Sequence, residues 1–227
     1  KTSVKEMCRK ILVDYAGSAS VLSTKGNLNN DIGLPMTLLE LTDQHQFAVI
    51  EMGANHTGEI DYLTTITKPD IAVVTNVGPA HLEGFGSLDN IARAKAEIYN
   101  GLSEDGIAVI NQDDAYASLW KDYCSAKNTV CFSMLDANAD VYAKHITDNS
   151  YQIIAGHTVS GSLQGKVQAE LTLKVPGKHN VMNALAATAV TLSLGIPLQA
   201  IVFSLAEFEN IQGRLSVINS AAGYRVI

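Results

Sequence analysis

Polar side chains stand at the carboxyl ends of three apolar runs rich in β-branched residues. They are Glu51, Asn76 and Asn111. We interpret the runs as buried parallel strands, and in open α/β sheets ligands bind outside the carboxyl ends of such strands. A carboxylate there suits Mg²⁺, which takes oxygen ligands and keeps several waters. Glu51 is therefore a candidate metal ligand, with a structural salt bridge or a helix cap as the alternative.

Histidines follow two of these strand ends, His56 after Glu51 and His81 after Asn76. A carboxylate and an imidazole near phosphates are compatible with a Mg²⁺ site, although imidazole is a less usual Mg²⁺ ligand than oxygen. A loop histidine with ordinary hydrogen bonds is an equally good interpretation, so the residues alone leave both open.

Lys95 lies on the apolar face of a predicted helix, for which Ser87 is a suitable N-cap. The face repeats at spacings of three and four, as Leu88, Ile91, Ala92, Lys95 and Ile98. Burying an unpaired ammonium is costly, so Lys95 could pair with a phosphate or with Glu97. A lysine made neutral by burial could instead react with CO₂ to give a carbamate able to hold a metal. The third interpretation is a lysine whose ammonium reaches solvent.

The chain opens with Lys1-Thr2-Ser3 at the start of an amphipathic helix. These residues match the end of a Gly-x-x-Gly-Lys-Thr/Ser phosphate loop, in which lysine reaches the β- and γ-phosphates and the hydroxyl meets Mg²⁺. Without the glycines, an ordinary helix start is the stronger interpretation. Because nothing leads into this helix and the chain stops within a predicted strand, we expect a piece excised from a longer protein.

Two later residues could contact a nucleotide. Asn183, one turn into an alanine-rich helix, could offer its amide to an adenine edge. Arg214 follows Gly213 and could hold a phosphate with two hydrogen bonds, although a surface ion pair is equally compatible with its position.

Composition limits the protein to a globular class. The 227 residues are 47% hydrophobic and 17% charged, which suits one large domain, or one domain and the start of another. A net charge of −7 disfavours binding to nucleic acid or to acidic membranes. The sequence has no apolar run near the roughly 20 residues of a membrane span. The three cysteines lack metal-binding spacing, which favours a reducing cytoplasmic compartment.

The order of predicted elements indicates an α/β fold. Predicted strands at 47–51, 71–74, 107–111 and 129–132 alternate with predicted helices. Among the helices are 36–42 and 59–67, the second with Thr57 as a candidate cap. This alternation predicts a doubly wound, mostly parallel sheet flanked by helices. Four short runs separated by Gly, Asn and Ser follow, at 141–145, 151–155, 158–163 and 167–173, and they predict a small antiparallel β patch around 139–173. A last strand is predicted at 215–218. We expect one domain over residues 1–221, with 222–227 beginning a connection to a further domain.

Together these stretches resemble the ATP-dependent Mur ligase family over nearly the whole chain. The matching segments are KTS at 1–3, EMGANHTGEI at 51–60, TNVGPAH at 75–81, AKAEI at 94–98, GKHNVMNA at 177–184 and GR at 213–214. The resemblance implies a P-loop-type central ATP-binding domain, normally flanked by an N-terminal UDP-sugar domain and a C-terminal domain.

The resemblance also implies roles for individual residues. The ATP-binding set would be Lys1, Thr2, Ser3, Asn183 and Arg214. The Mg²⁺ set would be Thr2, Glu51, His81 and a carbamylated Lys95, with Lys1, His81 and Lys95 acting in catalysis. The substrate-binding set would be Asn55 and His56 near the acceptor, and Thr24, Asn29 and Asn30 in a sugar-nucleotide loop.

The implied activity is ATP-dependent amide-bond formation through an acyl phosphate, with ATP and Mg²⁺ as cofactors. The loop at 26–35 and the segment at 51–60 favour D-alanyl-D-alanine addition to UDP-N-acetylmuramoyl-tripeptide, a step in peptidoglycan precursor synthesis. We expect these small molecules as partners, no nucleic acid, no membrane span, a monomer and a cytoplasmic location. Since the phosphate-loop glycines are missing, we expect no turnover from this piece alone.

Two groups of alternatives stay open. Within the same fold, they are sibling ligases that add single amino acids and folylpolyglutamate synthase. From another class, the alternative is a non-catalytic nucleotide-binding module. A switch-type module would place an Asp at a strand end and carry an Asn-Lys-x-Asp motif, and the sequence contains neither feature at the predicted strand ends.

Overall fold

The computed structural model describes residues 1–79, 82–124, 127–147, 149–159, 162–209, 218–219 and 225–226. The strands are β1 (Val21–Ser23), β2 (Phe47–Val49), β3 (Ile71–Val74), β4 (Ile107–Asn111), β5 (Asn128–Ser133), β6 (Val141–Thr147), β7 (Ser150–Val159), β8 (Ser162–Thr172), β9 (Ile218–Asn219) and β10 (Arg225–Val226). The α-helices are α1 (Thr2–Ala16), α2 (Gly33–Leu38), α3 (Glu59–Thr67), α4 (Leu82–Phe85), α5 (Leu88–Ala96), α6 (Ala117–Tyr123), α7 (Lys178–Ser193) and α8 (Leu198–Ala206). Short 3-10 turns cover Ser18–Ser20 and Glu97–Gly101.

The main sheet has six strands in the order β3-β4-β5-β6-β7-β8. Strands β3 to β6 pair in parallel, and β6, β7 and β8 pair antiparallel. Strands β1 and β2 form a separate parallel pair, and β9 and β10 a short antiparallel one. The predicted α/β class, with a mostly parallel sheet and an antiparallel patch, is confirmed.

Helices cover both faces of the sheet because each has an apolar side to bury. On one face, α1 buries its predicted stripe against α7 and α8. The alanines of α7 have small side chains, which lets neighbouring elements pack close to the helix, and most of its residues are buried. On the other face, Tyr99 and Trp120 pack with the residues of β3 and β4 that point the same way. The apolar residues packed on each face of the sheet thus form two cores, as in a doubly wound domain.

Some boundaries differ from those predicted. The helix expected at Met36 begins at Gly33, whose N–H donates to Asn30 Oδ1 at 2.8 Å. The four short runs predicted in the antiparallel patch form three strands, because the third run is divided between the end of β7 and the start of β8. The pairing of these two strands has a register shift after Gly156. The predicted strand at 215–218 lies mostly outside the described residues, as does the predicted domain boundary at about Ala221.

A cavity of about 450 Å³ separates β2 from β3. It is lined by consecutive residues 46–52 along β2 and 67–75 along β3. Because neighbouring residues of a strand point to opposite faces of a sheet, an unbroken lining means that the strands present their edges to the cavity. No strand of the described residues lies between these edges. We call this space the β2–β3 slot.

Helices α1 and α5 also line the slot. Val4, Cys8 and Leu12 of α1 line one side, and Ile91 and Ala94 of α5 line the other. Its end near the carboxyl termini of β2 and β3 is polar, and the candidate site lies there. None of the helices in the described part of the chain is long and apolar enough to cross a membrane.

Candidate functional site

Glu51 is buried just beyond β2, with 7% of its surface exposed. Its backbone N–H donates to Thr24 Oγ1 at 2.9 Å, and its Oε1 accepts from Asn29 Nδ2 at 2.9 Å. Its Oε2 is also buried and has no hydrogen-bond partner among the described residues. A buried carboxylate oxygen without a partner is costly. The site therefore fits an oxygen-seeking cation such as Mg²⁺.

The predicted sugar-nucleotide loop folds back onto this carboxylate. Thr24 is 1% exposed, and the backbone oxygen of Asn29 accepts from Gly53 N at 2.7 Å. A Cβ at Gly53 would lie 2.9 Å from Asn29 Oδ1, so a side chain at this position would displace the Asn29 amide that bonds to Glu51. Asn30 is exposed and holds the start of α2. Thr24 and Asn29 thus support Glu51, and direct substrate contact by the three loop residues stays a prediction.

Lys95 reaches the carboxyl end of β3. It is half-buried, and its ammonium donates to Asn76 O at 2.5 Å. Burial lowers the pKa of Lys95, the nearby charge of Lys1 lowers it further, and Asp114 opposes the change. The predicted cap of its helix is confirmed, since Ser87 Oγ accepts from Asn90 N at 3.1 Å. Carbamylation of Lys95 stays a prediction.

The third predicted strand end, Asn111, supports the loop after β3. Its Nδ2 donates to Thr75 O at 2.8 Å. Asp114 adds a second tie, accepting from Val77 N at 2.8 Å. Asp114 was not predicted as a site residue, although its place three residues after the predicted strand end Asn111 was an available signal. These contacts fix the backbone that faces Lys95.

Lys1 lies close to Glu51. Its ammonium donates to Met52 O at 3.2 Å, and α1 begins at Thr2. Ser3 is half-buried in the first turn. The predicted phosphate-loop lysine and the predicted carbamylated lysine therefore reach the same edge of the fold as the candidate metal ligand.

A second lysine of α1 was not predicted to matter. Lys5 is 6% exposed, and its ammonium donates to Thr24 O at 2.8 Å and pairs with Glu6 at 2.5 Å. Its position next to the apolar residues Val4 and Cys8 on the helix could have indicated that Lys5 is buried. Lys5 ties α1 to the residue that holds the Glu51 backbone.

Asn55 and His56 are exposed on the loop that follows Glu51. Glu59 accepts from Asn55 N at 2.7 Å and contacts His56 Nδ1 at 2.9 Å. These partners, the Asn55 N–H first, lower the pKa of Glu59. The Thr57 cap predicted for α3 is wrong, because the N-cap is Gly58 with φ of 88°. The open N–H groups at that end bond to Glu97, which comes from a distant part of the chain.

The remaining predicted residues fall into two groups. Asn183 is half-buried in the second turn of α7, and its contact with adenine stays a prediction. His81 and Arg214 lie outside the described residues. The described residues contain no cluster of three or more His, Cys, Asp or Glu side chains able to hold a metal. Glu51 is the carboxylate among them that has a buried oxygen without a hydrogen-bond partner.

The fold and this edge define an α/β domain whose polar residues gather at the carboxyl ends of parallel strands. A family model described as the Mur ligase middle domain matches residues 1–191. The chain belongs to the Mur ligase family, through its middle domain. The resemblance predicted from the motifs is confirmed.

Named relatives narrow the comparison. The chain is 44% identical over 223 residues to UDP-N-acetylmuramoyl-tripeptide–D-alanyl-D-alanine ligase of Escherichia coli K12, covering 97% of this chain and 47% of that protein. The protein of the same name from Bacillus subtilis is 34% identical over 238 residues, covering 100% and 46%. The chain thus spans about half the length of the curated relatives it matches.

Solved structures agree in fold. A crystal structure of MurF from Acinetobacter baumannii superposes with a TM-score of 0.86 at 38% identity, covering 97% of this chain and 46% of that one. MurF ligase from Thermotoga maritima in complex with ADP gives a TM-score of 0.78 at 30% identity, covering 97% and 48%.

Proposed function

We propose that this chain is the ATP-binding middle domain of a ligase that joins D-alanyl-D-alanine to UDP-N-acetylmuramoyl-tripeptide in peptidoglycan precursor synthesis. The names of the relatives support the substrates. The observation that carries the chemistry is that Glu51 Oε2 is buried without a hydrogen-bond partner among the described residues, in a cavity that Lys1 and Lys95 also line. One negative and two positive groups at a sheet edge suit a triphosphate with its metal.

The proposed reaction has two steps. A carboxylate oxygen of the tripeptide attacks the γ-phosphorus of ATP, the bond to ADP breaks, and an acyl phosphate forms. The amine of D-alanyl-D-alanine then attacks the carbonyl carbon, phosphate leaves with the C–O bond electrons, and the nitrogen loses a proton. The first step supplies the leaving group that a free carboxylate lacks.

The protein mainly positions groups and balances charge in both steps. Lys1 would neutralise the β- and γ-phosphates, and Glu51 would hold Mg²⁺ through its free oxygen. The bound Mg²⁺ would withdraw charge from the phosphoryl oxygens as a Lewis acid. A carbamate on Lys95 would add a second carboxylate-like ligand, with His81 as a further one.

The substrates would enter from the exposed side of this edge. Asn55 and His56 are solvent-facing polar residues of the loop after Glu51 and would meet the acceptor. Asn183 would contact adenine, and Arg214 the nucleotide phosphates. We propose a cytoplasmic monomer that acts on these small molecules without nucleic acid, consistent with its net charge of −7.

We also propose that the middle domain is completed by a strand of the full-length protein lying in the β2–β3 slot. The two strand edges that face the slot support this, and so does the greater length of the relatives. Such a strand would join the parallel pair β1–β2 to the six-stranded sheet.

Substrate-dependent ADP release by the full-length protein tests the proposed function. UDP-N-acetylmuramoyl-tripeptide with D-alanyl-D-alanine should support release, whereas single amino acids, or folate with glutamate, should not. Activity with folate and glutamate alone would contradict the proposal and favour folylpolyglutamate synthesis.

A further inference from the structure

We infer that Glu97 is a positioning residue that sets the place of the acceptor-binding loop relative to Lys95. This inference rests on the proposed function, because it takes Asn55 and His56 as the acceptor-facing residues. Glu97 itself is buried, with 9% of its surface exposed. It touches no proposed substrate atom and would act through the loop.

Both carboxylate oxygens of Glu97 hold the end of that loop. Gly58 N donates to Oε1 at 2.9 Å and to Oε2 at 3.0 Å, and Asp61 N donates to Oε2 at 3.2 Å. These N–H groups are among those that a helix leaves without internal partners at its N-terminus. A carboxylate there is further favoured by the helix dipole. Glu97 therefore caps α3 from another part of the chain.

Other acidic groups near the start of α3 are occupied elsewhere. Glu59 turns back to Asn55 and His56 inside the loop. Asp61 Oδ1 accepts from Asn100 Nδ2 at 2.5 Å. The N-cap, Gly58, makes no side-chain bond. Among the described residues, Glu97 is thus the side chain that ties the loop end to a second element.

The loop is held on two further sides. Gly53 N donates to Asn29 O at its beginning. At its middle, a Cβ on Gly84 would clash with Asn55 O, so α4 packs directly against the loop backbone. With both of these contacts fixed, loss of the Glu97 bonds would loosen the end of the loop after His56, where Glu59 of α3 would be the remaining tie.

The position of Glu97 in the chain links the loop to the helix that carries Lys95. It begins the 3-10 turn that continues α5, two residues after Lys95. The end of α5 therefore positions two things: Lys95, which contacts Asn76, and Gly58 at the end of the loop, which Glu97 holds. The acceptor carboxylate and the phosphoryl group must meet within bonding distance, so a small displacement between these parts is costly.

Kinetics of the full-length protein test the inference. Glu97→Gln keeps the size of the side chain but removes the charge and places an amide beside backbone N–H donors. We expect the KM for UDP-N-acetylmuramoyl-tripeptide to rise about tenfold or more, with little change in the KM for ATP. Glu97→Asp should restore part of the loss. Glu104→Gln, at an exposed site, is the matched control and should leave both constants unchanged.

A second measurement separates positioning from folding. Amide exchange of the same variants should become faster at Gly58 and Asp61, whose N–H groups donate to Glu97 in the wild type, while the amides of α5 keep their protection. Faster exchange with unchanged acceptor KM would overturn the inference, because Glu97 would then be a helix cap only. An equal rise in the KM for ATP and in the KM for the acceptor would also overturn the inference.

The proposed function and the positioning role fail in different ways. If the wild-type protein releases no ADP with the tripeptide, the proposed function fails. The loop tie is then judged by exchange alone. Protection in Glu97→Gln equal to that of the wild type would refute it, and selective loss in the loop would support it.

Discussion

Asn29 Nδ2 lies 2.9 Å from Glu51 Oε1, whereas Oε2 of the same carboxylate is buried without a partner among the described residues. The amide fixes the rotation of the carboxylate and satisfies one oxygen only. The other oxygen is left for a cation, as expected where a neighbouring group orients a metal ligand.

The first prediction follows from the free oxygen of Glu51. Without divalent cations, Glu51→Gln should raise the free energy of unfolding by about 1 kcal/mol, because it removes the charge of a buried carboxylate whose Oε2 has no partner among the described residues. Added Mg²⁺ should stabilise the wild type and not the variant, since only the native carboxylate binds it. Thermal unfolding with EDTA or Mg²⁺ measures both effects.

Turnover gives an independent test of the same residue. In the full-length protein, Glu51→Gln should slow ADP release by about a hundredfold or more, the loss expected when one group that stabilises the transition state is removed. Glu104→Gln serves as the control for loss of one negative charge. A variant that keeps Mg²⁺-dependent turnover would show that Glu51 is not a ligand.

The second prediction concerns Lys95 and CO₂. Only a neutral amine attacks CO₂, forming the N–C bond and losing a proton. Because burial and the charge of Lys1 lower the pKa of Lys95, its neutral fraction at a given pH exceeds that of an exposed lysine and grows as pH rises. Carbamylation at Lys95 should therefore increase with pH and exceed that of surface lysines.

Carbon NMR with isotope-labelled bicarbonate measures this modification. A carbamate resonance should disappear in Lys95→Ala and remain in Lys144→Ala, whose lysine is exposed. Lys95→Ala should also abolish ligation by the full-length protein, and added bicarbonate should not restore it. A resonance that survives in Lys95→Ala would assign the carbamate to another lysine.

Local signals in the sequence were enough for most elements, because their causes are local. The bounds of α3, β3 and β4 matched the prediction, and Ser87 caps α5 as its residue type favours. The site was predicted less well. The sequence indicated a cap at Thr57, but the bonds come from Glu97, 39 positions after Gly58.

Two other features could not be predicted because they also join parts of the chain that are far apart in sequence. Asn29 was predicted as a substrate contact, and its pairing with Glu51 joins residues 22 positions apart. The β2–β3 slot depends on which strands pair, which periodicity along one strand does not reveal. Long-range polar pairs and strand order are thus the parts that the sequence left open.

The last prediction concerns the β2–β3 slot. Val49 O accepts from Thr24 N on the β1 side, and Asp70 O accepts from Ile107 N on the β4 side. Since successive residues direct their backbone groups to opposite edges, Ala48 and Val73 should direct theirs into the slot. A synthetic peptide of about five Val and Ile residues should bind there and pair with both strands, given about 3.3 Å per residue.

Binding of that peptide should raise the unfolding temperature of the chain and slow amide exchange at Ala48 and Val73 by about tenfold or more. The matched control is the same peptide with alternate amides N-methylated, which keeps its apolar surface but removes the donors on one edge. It should bind more weakly and protect only one of the two strands. Equal binding and equal protection by the two peptides would mean that the slot takes up apolar groups without completing a sheet.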